Sequence, residues 1–193
     1  DWFWCSRAFG AQQPVVRRLW PKSRLRSDVY WKLVALDRRT ELSARIGAAR
    51  RMPPREQVVQ DIEVPLDALP EFLEFFHREV GIAPVWVCPL RQRDPDASWP
   101  LYPLDPAVTY VNVGFWSTVA VPRGVDPAEG RVNRRIEDVV RDLGGHKSLY
   151  STAYYDREEF GRLYGGETYR RLRAAYDPQH RLADMWSKTV GRA

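Results

Sequence analysis

Little in this sequence offers a metal cage or a covalent framework. Its two cysteines, Cys5 and Cys88, lie far apart and outside any CxxC spacing, so neither a disulfide scaffold nor a zinc site follows. Only His77, His146 and His180 could add imidazole ligands, and no metal site is expected. No uninterrupted stretch of about 20 apolar residues exists to span a bilayer. The start of the chain lacks the basic n-region and small-residue cleavage site of a signal peptide. The expected location is therefore the cytoplasm. GxSxG and HExxH are absent, which removes the serine-hydrolase and zincin readings. Lysine is scarce: Lys22, Lys32, Lys147 and Lys188 stand against many arginines, a bias expected of a high-GC bacterial coding sequence. The chain opens on Asp1 rather than Met, and a fragment of a longer polypeptide is expected.

What is present suits a packed domain. A chain of 193 residues with 44% hydrophobic and 12% aromatic content is long enough for a proper core and too apolar for disorder. The net charge of +5 is unevenly placed: residues 1–57 hold 13 Lys+Arg against 5 Asp+Glu, and residues 58–193 hold 17 against 20. Such a basic arm meets phosphates, an anionic membrane surface or an acidic neighbour, or is simply a solvated face. Peripheral contact with a membrane is left open.

Residues 1–26 are irregular and aromatic-rich, with Trp2, Phe3, Trp4, Phe9 and Trp20 broken by Pro14 and Pro21. Ser27 is placed to cap a helix running to about Arg51, with Leu33, Val34, Leu42, Ile46 and Ala49 as its apolar stripe; Met52-Pro53-Pro54 then ends it. Residues 57–64 alternate like a strand, with Val58, Ile62 and Val64 on one face and Asp61 and Glu63 on the other. A helix from Asp67 carries Leu69, Phe72, Leu73, Phe76 and Val80 at helical spacing and stops at Gly81. A strand over 83–90, a Pro-rich loop over 91–106 and a strand over 108–116 follow. Val132, Ile136, Val139, Val140 and Leu143 make a second amphipathic helix ended by Gly144-Gly145, before a strand over 146–151. Asp156 with Glu159 forms a capping box. Thr168 opens another helix ending near Asp177-Pro178, and a last helix spans about 182–189.

The order βαββαβ predicts an α+β fold: a ferredoxin-like antiparallel sheet with both helices on one face, preceded by a helical linker and followed by C-terminal helices. Three segments are expected: residues 1–55 as linker and helix, 56–152 as the ferredoxin-like domain, and 153–193 as the helical tail. Both helix stripes need the Val/Ile face of the sheet. The other face is then left to Asp61, Glu63, Trp86, Cys88, Tyr110, Asn112 and Trp116, with strand four adding His146 and Tyr150 or, in the alternate register, Lys147 and Leu149. An aromatic, ionisable sheet face is too sticky for water and should cover a ligand or another domain.

Asp61 and Glu63 are spaced to act as acid, base or polar anchor, or simply as a solvent-facing alternation. Gly144-Gly145-His146-Lys147-Ser148 lacks both the spacer and the strand-to-helix order of a phosphate loop. The topology also admits an RNA-recognition module, but its third strand, Tyr110 to Trp116, lacks the basic-Gly start, and Asp61 and Glu63 would repel phosphate. No nucleic-acid partner is expected.

An ordered set of segments carries a family resemblance: Phe3-Trp4-Cys5-Ser6, Asp61 with Val64-Pro65, and Pro84-Val85-Trp86-Val87-Cys88-Pro89. Tyr110 to Gly114, Leu149-Tyr150, Tyr154 and Arg157-Glu158-Glu159-Phe160 follow in the same order. Together they resemble the C-terminal half of the FAD-dependent Δ24-sterol reductases (24-dehydrocholesterol reductase, diminuto). These enzymes belong to the vanillyl-alcohol-oxidase, or PCMH-type, flavoprotein superfamily.

The resemblance implies a cap domain whose open sheet face lies over the flavin of an N-terminal FAD-binding domain in the same polypeptide. It implies hydride transfer from reduced FAD to a C=C bond of a sterol-like or other apolar substrate, with NAD(P)H as electron donor. The fragment would be inactive without the FAD domain. On this reading Tyr154, His146 and Lys147 are catalytic, with Tyr154 or His146 as proton donor; Asn112, Tyr150 and Lys147 meet the cofactor; and Asp61, Trp86, Tyr110 and Trp116 meet the substrate. Val85, Trp86 and Val87 lack the Glu-x-Arg pair with which related sugar-lactone oxidases handle a polar substrate. An oxygen-using FAD oxidase of the same superfamily, and a stand-alone RNA- or protein-binding ferredoxin-like module, remain the alternatives.

Overall fold

The structure, a computed structural model, describes residue 18 and residues 27–41, 45–46 and 51–190. The expectations for the aromatic start, including Cys5 and the Phe3-to-Ser6 segment, lie outside the described residues, as do Leu42 and Ala49. Two compact units are present. One takes the described residues up to Arg55 together with Ala120–Pro127; the other takes Glu56–Val119 and Ala128–Ala193.

In the first unit helix α1 spans Ser27–Thr40, with Asp28 in its first turn, where a negative charge suits the helix dipole. It ends well before the expected Arg51. Thr40 Oγ1 donates to the Leu36 carbonyl at 2.9 Å, and Glu41 then takes a left-handed φ of 50°. Leu33 and Ile46, two members of the expected stripe, are exposed, as are Trp31 and Leu36. Beyond the turn at Arg51, the Val121 N–H donates to the Pro54 carbonyl at 2.8 Å.

The second unit has the predicted order. Strand β1 is Arg55–Pro65, helix α2 Leu69–Phe75, strand β2 Trp86–Leu90 and strand β3 Tyr110–Ala120; helix α3 is Arg131–Asp142 and strand β4 His146–Lys147. The strands lie in the order β2-β3-β1-β4, the ferredoxin-like arrangement, and β1–β4 and β2–β3 are antiparallel. Val58, Ile62 and Val64 fill the helix-covered face with Val111, Val113, Phe115, Ile136 and Val140. Helix α2 continues as one wide π turn, Phe76–Val80, closed by the Gly81 N–H on the Phe76 carbonyl at 2.8 Å. The extra residue in that turn lets Phe75, Phe76 and Val80 all bury, with the Phe76 ring tilted against Phe115 at a centroid distance of 4.5 Å. Gly81, at φ 68°, ends the helix as its position predicts.

Two boundaries differ in ways that matter. Strand β3 runs on to Ala120, four residues past the expected end. Strand β4 pairs over His146 and Lys147 alone instead of reaching Ser151, because Lys147 Nζ draws the next turn back, donating to the Ser148 carbonyl at 3.2 Å and Ser151 Oγ at 3.1 Å. Gly145 allows the tight entry into β4: a Cβ there would stand 2.4 Å from the Glu63 carbonyl oxygen.

The tail forms α4 (Arg157–Leu163), α5 (Gly166–Tyr176) and α6 (Met185–Thr189). Asp156 caps α4 by accepting from the Glu159 N–H at 2.8 Å, as its spacing predicts, while the Glu159 side chain pairs with Arg141 at 2.7 Å. Ala153, Tyr155, Phe160 and Tyr164 make a second small core with Tyr102, Leu149 and Trp186 around it.

Candidate functional site

The register decides which side chains share the second sheet face. Trp86 pairs with Gly114, Cys88 with Asn112 and Leu90 with Tyr110, so these six face one way together with Trp116. Glu63 pairs with His146, which brings Asp61, Glu63 and His146 to the same face. The alternation read from the sequence thus assembles Asp61, Glu63, Trp86, Asn112, Trp116 and His146 on one surface.

That surface is only partly open. Its β2–β3 side exposes Trp86, Trp116 and the free thiol of Cys88. Its β1–β4 side is covered by Tyr102 from the Pro-rich loop and by Tyr164 from the end of α4. The Tyr102 hydroxyl donates to Glu63 Oε2, and its ring stands edge-on to the His146 imidazole at 4.5 Å. Tyr164 lies 4.8 Å from the same imidazole, and its hydroxyl donates to the Lys147 carbonyl at 2.7 Å. Asn112 Nδ2 completes the set by donating to Glu63 Oε1 at 2.7 Å, and Ser148 Oγ reaches the same oxygen at 3.4 Å. Glu63 is therefore a buried, multiply hydrogen-bonded carboxylate rather than a solvent-facing one. Burial raises its pKa, with the hydrogen bonds from Tyr102 and Asn112 working against the rise.

Asp61 occupies the middle of the face. Its carboxylate lies over Gly114, where a Cβ would come within 2.2 Å of Oδ1. Tyr150 stands near it, and Trp116 Nε1 donates to the Tyr150 hydroxyl at 3.0 Å. Burial pushes the Asp61 pKa up, opposed by Tyr150 and by the positive charge of Lys147. Asp61 Oδ1 and His146 Nε2 are both buried without a hydrogen-bond partner. His146 is held neutral by burial, its pKa pushed down to about 4.

The other expected site residues fall elsewhere. Lys147 pairs with Ile62, so its side chain enters the helix-covered face and is fully buried, away from the surface that Asn112 and Trp86 share. Tyr154 packs on the start of α3: a Cβ on Gly130 would meet its ring at 2.0 Å, and its N–H donates to Glu137 at 3.0 Å. Neither is on the face with Asp61, because the two-residue β4 and the turn after it break the alternation extrapolated through residue 154. Tyr110 is on the face but buried, its hydroxyl accepting from the Asp105 N–H at 3.2 Å and so tying down the loop. Tyr102 and Ser148 were not legible as members; a Pro-rich loop carries no periodicity to show where it folds back. Among the described residues no cluster of three or more His, Cys, Asp or Glu could hold a metal ion, and no helix is long and apolar enough to cross a membrane.

The fold and this surface define an α+β domain of ferredoxin-like order whose second sheet face is aromatic and acidic. Comparison with known proteins finds one group of relatives. The chain is 31% identical over 141 residues to the Delta(24)-sterol reductase of Rattus norvegicus, covering 72% of this chain and 26% of that protein. It is 31% identical over 143 residues to the Delta(24)-sterol reductase homolog of Caenorhabditis elegans, and 28% identical over 132 residues to the Delta(24)-sterol reductase of Arabidopsis thaliana. The chain is thus similar to Delta(24)-sterol reductases over most of its own length and spans about a quarter of the length of the curated relatives it matches. No family model and no solved structure matches it.

Proposed function

We propose that this chain is the C-terminal, substrate-side part of an FAD-linked oxidoreductase that reduces a C=C bond of a sterol-like apolar substrate. The observation that carries the reading is the match to Delta(24)-sterol reductases over 72% of the chain. The preceding FAD-binding domain would belong to the same polypeptide, with residues 1–55 as the connection to it, and the basic arm would allow peripheral contact with an anionic membrane.

The residues present fit a flat, hydrogen-bonding ring system. Trp86, which pairs with Gly114, and Trp116, whose ring lies over Gly114, both keep exposed surface on this face, and the Tyr150 hydroxyl accepts from Trp116 Nε1. Bound FAD, recharged by NAD(P)H, would supply the hydride. Asn112, Tyr150 and Trp116 would then orient the ring and the alkene. The Tyr102 loop would keep water from Glu63 and His146, and the neutral His146 would add no charge beside an apolar substrate. Lys147 and Tyr154 take supporting roles, holding the 148–154 turn that presents Tyr150.

The test is to produce the longer polypeptide that carries this chain and add NADPH anaerobically. A yellow protein that bleaches, and then reoxidises when given a Δ24-unsaturated sterol with a gain of two hydrogens in the product, is the expected result. A colourless protein overturns the flavin assignment. Reoxidation by oxygen but never by the alkene replaces the reductase with an oxidase.

A further inference from the structure

A cleft of about 450 Å³ lies between the turn after β4 and helix α6. Leu149 and Met185 give it an apolar wall, and Ser151, Thr152 and Lys188 give it polar lining. No carboxylate lines it. The acid nearest to it in sequence, Asp184, is already engaged by the Arg157 guanidinium at 3.3 Å and by the Ser187 N–H at 2.6 Å.

Two of the lining groups are left with protons to give. The Lys188 ammonium has no ion pair and no hydrogen bond among the described residues. Ser151 Oγ lies 3.1 Å from Lys147 Nζ. An ammonium donates and cannot accept, so Ser151 is the acceptor in that contact and its own hydroxyl proton is left over. Lys147 is fully buried, so the fold itself holds the serine in this donor state. The neighbouring hydroxyls differ. Thr189 Oγ1 spends its proton on the Met185 carbonyl at 2.8 Å, and the Tyr150 hydroxyl accepts from Trp116 Nε1 at 3.0 Å.

We infer that this cleft binds a small organic oxyanion, a phosphate monoester or a carboxylate carrying a short apolar body. Lys188 and the Ser151 hydroxyl take the anionic group, and Leu149 and Met185 take the body. An ammonium and a hydroxyl proton in one cleft without a carboxylate favour an anion and disfavour a cation. The volume lies in the range of about 300–1,000 Å³ usual for small-molecule clefts. The apolar wall gives a bare inorganic anion nothing to match, so the ligand is an amphiphile. The site is independent of the oxidoreductase reading and of the sheet face that reading uses.

The chain has two methionines, Met52 and Met185, and only Met185 lines the cleft. Methyl NMR of the methionine-labelled chain therefore reports on the site, with Met52 in the other unit as internal control. Hexyl phosphate and hexanoate should shift the Met185 methyl saturably and leave Met52 in place; the tighter of the two assigns the anionic group. Inorganic phosphate should bind at least about 5-fold more weakly than hexyl phosphate, and hexyltrimethylammonium should leave Met185 unshifted. Lys188 is exposed, so Lys188→Gln spares the fold, and it should weaken hexyl phosphate by about 10-fold, the loss of one charge-assisted hydrogen bond. Ser151→Ala should weaken it by about 5-fold. Should Ser151→Ala fail to fold, Lys188→Gln decides alone. No Met185 shift with either anion, an equal shift with the ammonium compound, or unchanged affinity in Lys188→Gln overturns the site. Inorganic phosphate binding as tightly as hexyl phosphate overturns the amphiphile assignment. None of these outcomes bears on whether the longer polypeptide bleaches with NADPH.

Discussion

Glu56, the second residue of β1, caps the helix that carries Asn133. Its carboxylate accepts from the Asn133 N–H at 2.9 Å, from Asn133 Nδ2 at 2.7 Å and from the Val132 N–H at 3.0 Å. Gly130, at the cap position of α3, has no side chain to meet these first-turn donors, so a carboxylate from the sheet meets them instead. Asn133 is fully used in return: Nδ2 also donates to the Gln57 carbonyl at 2.9 Å, and Oδ1 accepts from Gln60 Nε2 at 2.7 Å. The cluster fixes α3 on β1, and through them the side of the sheet that must be covered.

Removing that carboxylate strands buried donors. Glu56→Ala should cost roughly 2–4 kcal/mol, since each unsatisfied buried group costs about 1–3. Glu56→Gln keeps one acceptor oxygen but turns an amide toward a remaining donor, and should cost less than Glu56→Ala. Urea unfolding of the three proteins gives the ranking. A loss in Glu56→Ala under about 0.5 kcal/mol would mean that water replaces the cap.

The alternation that made β1 legible also hid this cluster. Glu56 and Gln60 share the face of Val58, Ile62 and Val64, yet their polarity gives no sign that they are buried. Their partner, Asn133, lies on another element, and burial of a polar side chain depends on such a partner. The same limit applies to the site. Periodicity placed Asp61, Asn112 and Trp116 together because strands β1 and β3 are long and regular. It failed at Lys147 and Tyr154 because β4 has two residues, and a one-residue change of register moves a side chain to the other face. Tyr102 arrives through a tertiary contact from an aperiodic loop.

His146 predicts an acid-side loss of stability. Its pKa is about 4 in the folded chain against the usual 6.5, so between those values the unfolded chain binds a proton that the folded chain refuses. Its contribution to stability is intact above pH ~6.5 and falls on acidification by up to ~1.4 kcal/mol per pH unit, levelling below about pH 4 at a total near ~3 kcal/mol. Glu63 and Glu137 act in the opposite sense: their pKa values are raised, so acid relieves their burial. Comparing wild type with His146→Gln in urea at pH 7, 6, 5 and 4 separates the two effects. The variant should gain about 2–3 kcal/mol on wild type between pH 7 and 4. A difference that stays constant with pH would show that the imidazole is not held neutral by its surroundings.

Lys147 and Glu137 are both buried on the helix-covered side, with no direct ion pair between them but each within the field of the other, and they should behave as one unit. Burial raises the Glu137 pKa and lowers that of Lys147, while each charge is the leading attraction on the other. Both also hold the segment that follows β4: Lys147 Nζ through Ser148 and Ser151, Glu137 through the Tyr154 N–H. Lys147→Met removes the positive partner and leaves Glu137 to bear the burial of its charge alone. The expected cost is about 3–5 kcal/mol above neutral pH, shrinking as acid protonates Glu137. In Lys147→Met/Glu137→Gln no charge is stranded, and most of the loss should return. A double-mutant cycle by urea unfolding at pH 8 should therefore give a coupling of roughly 2 kcal/mol or more. Additive losses would mean that the two side chains act on the 148–154 turn separately, with Lys147 contributing through its hydrogen bonds to Ser148 and Ser151 alone.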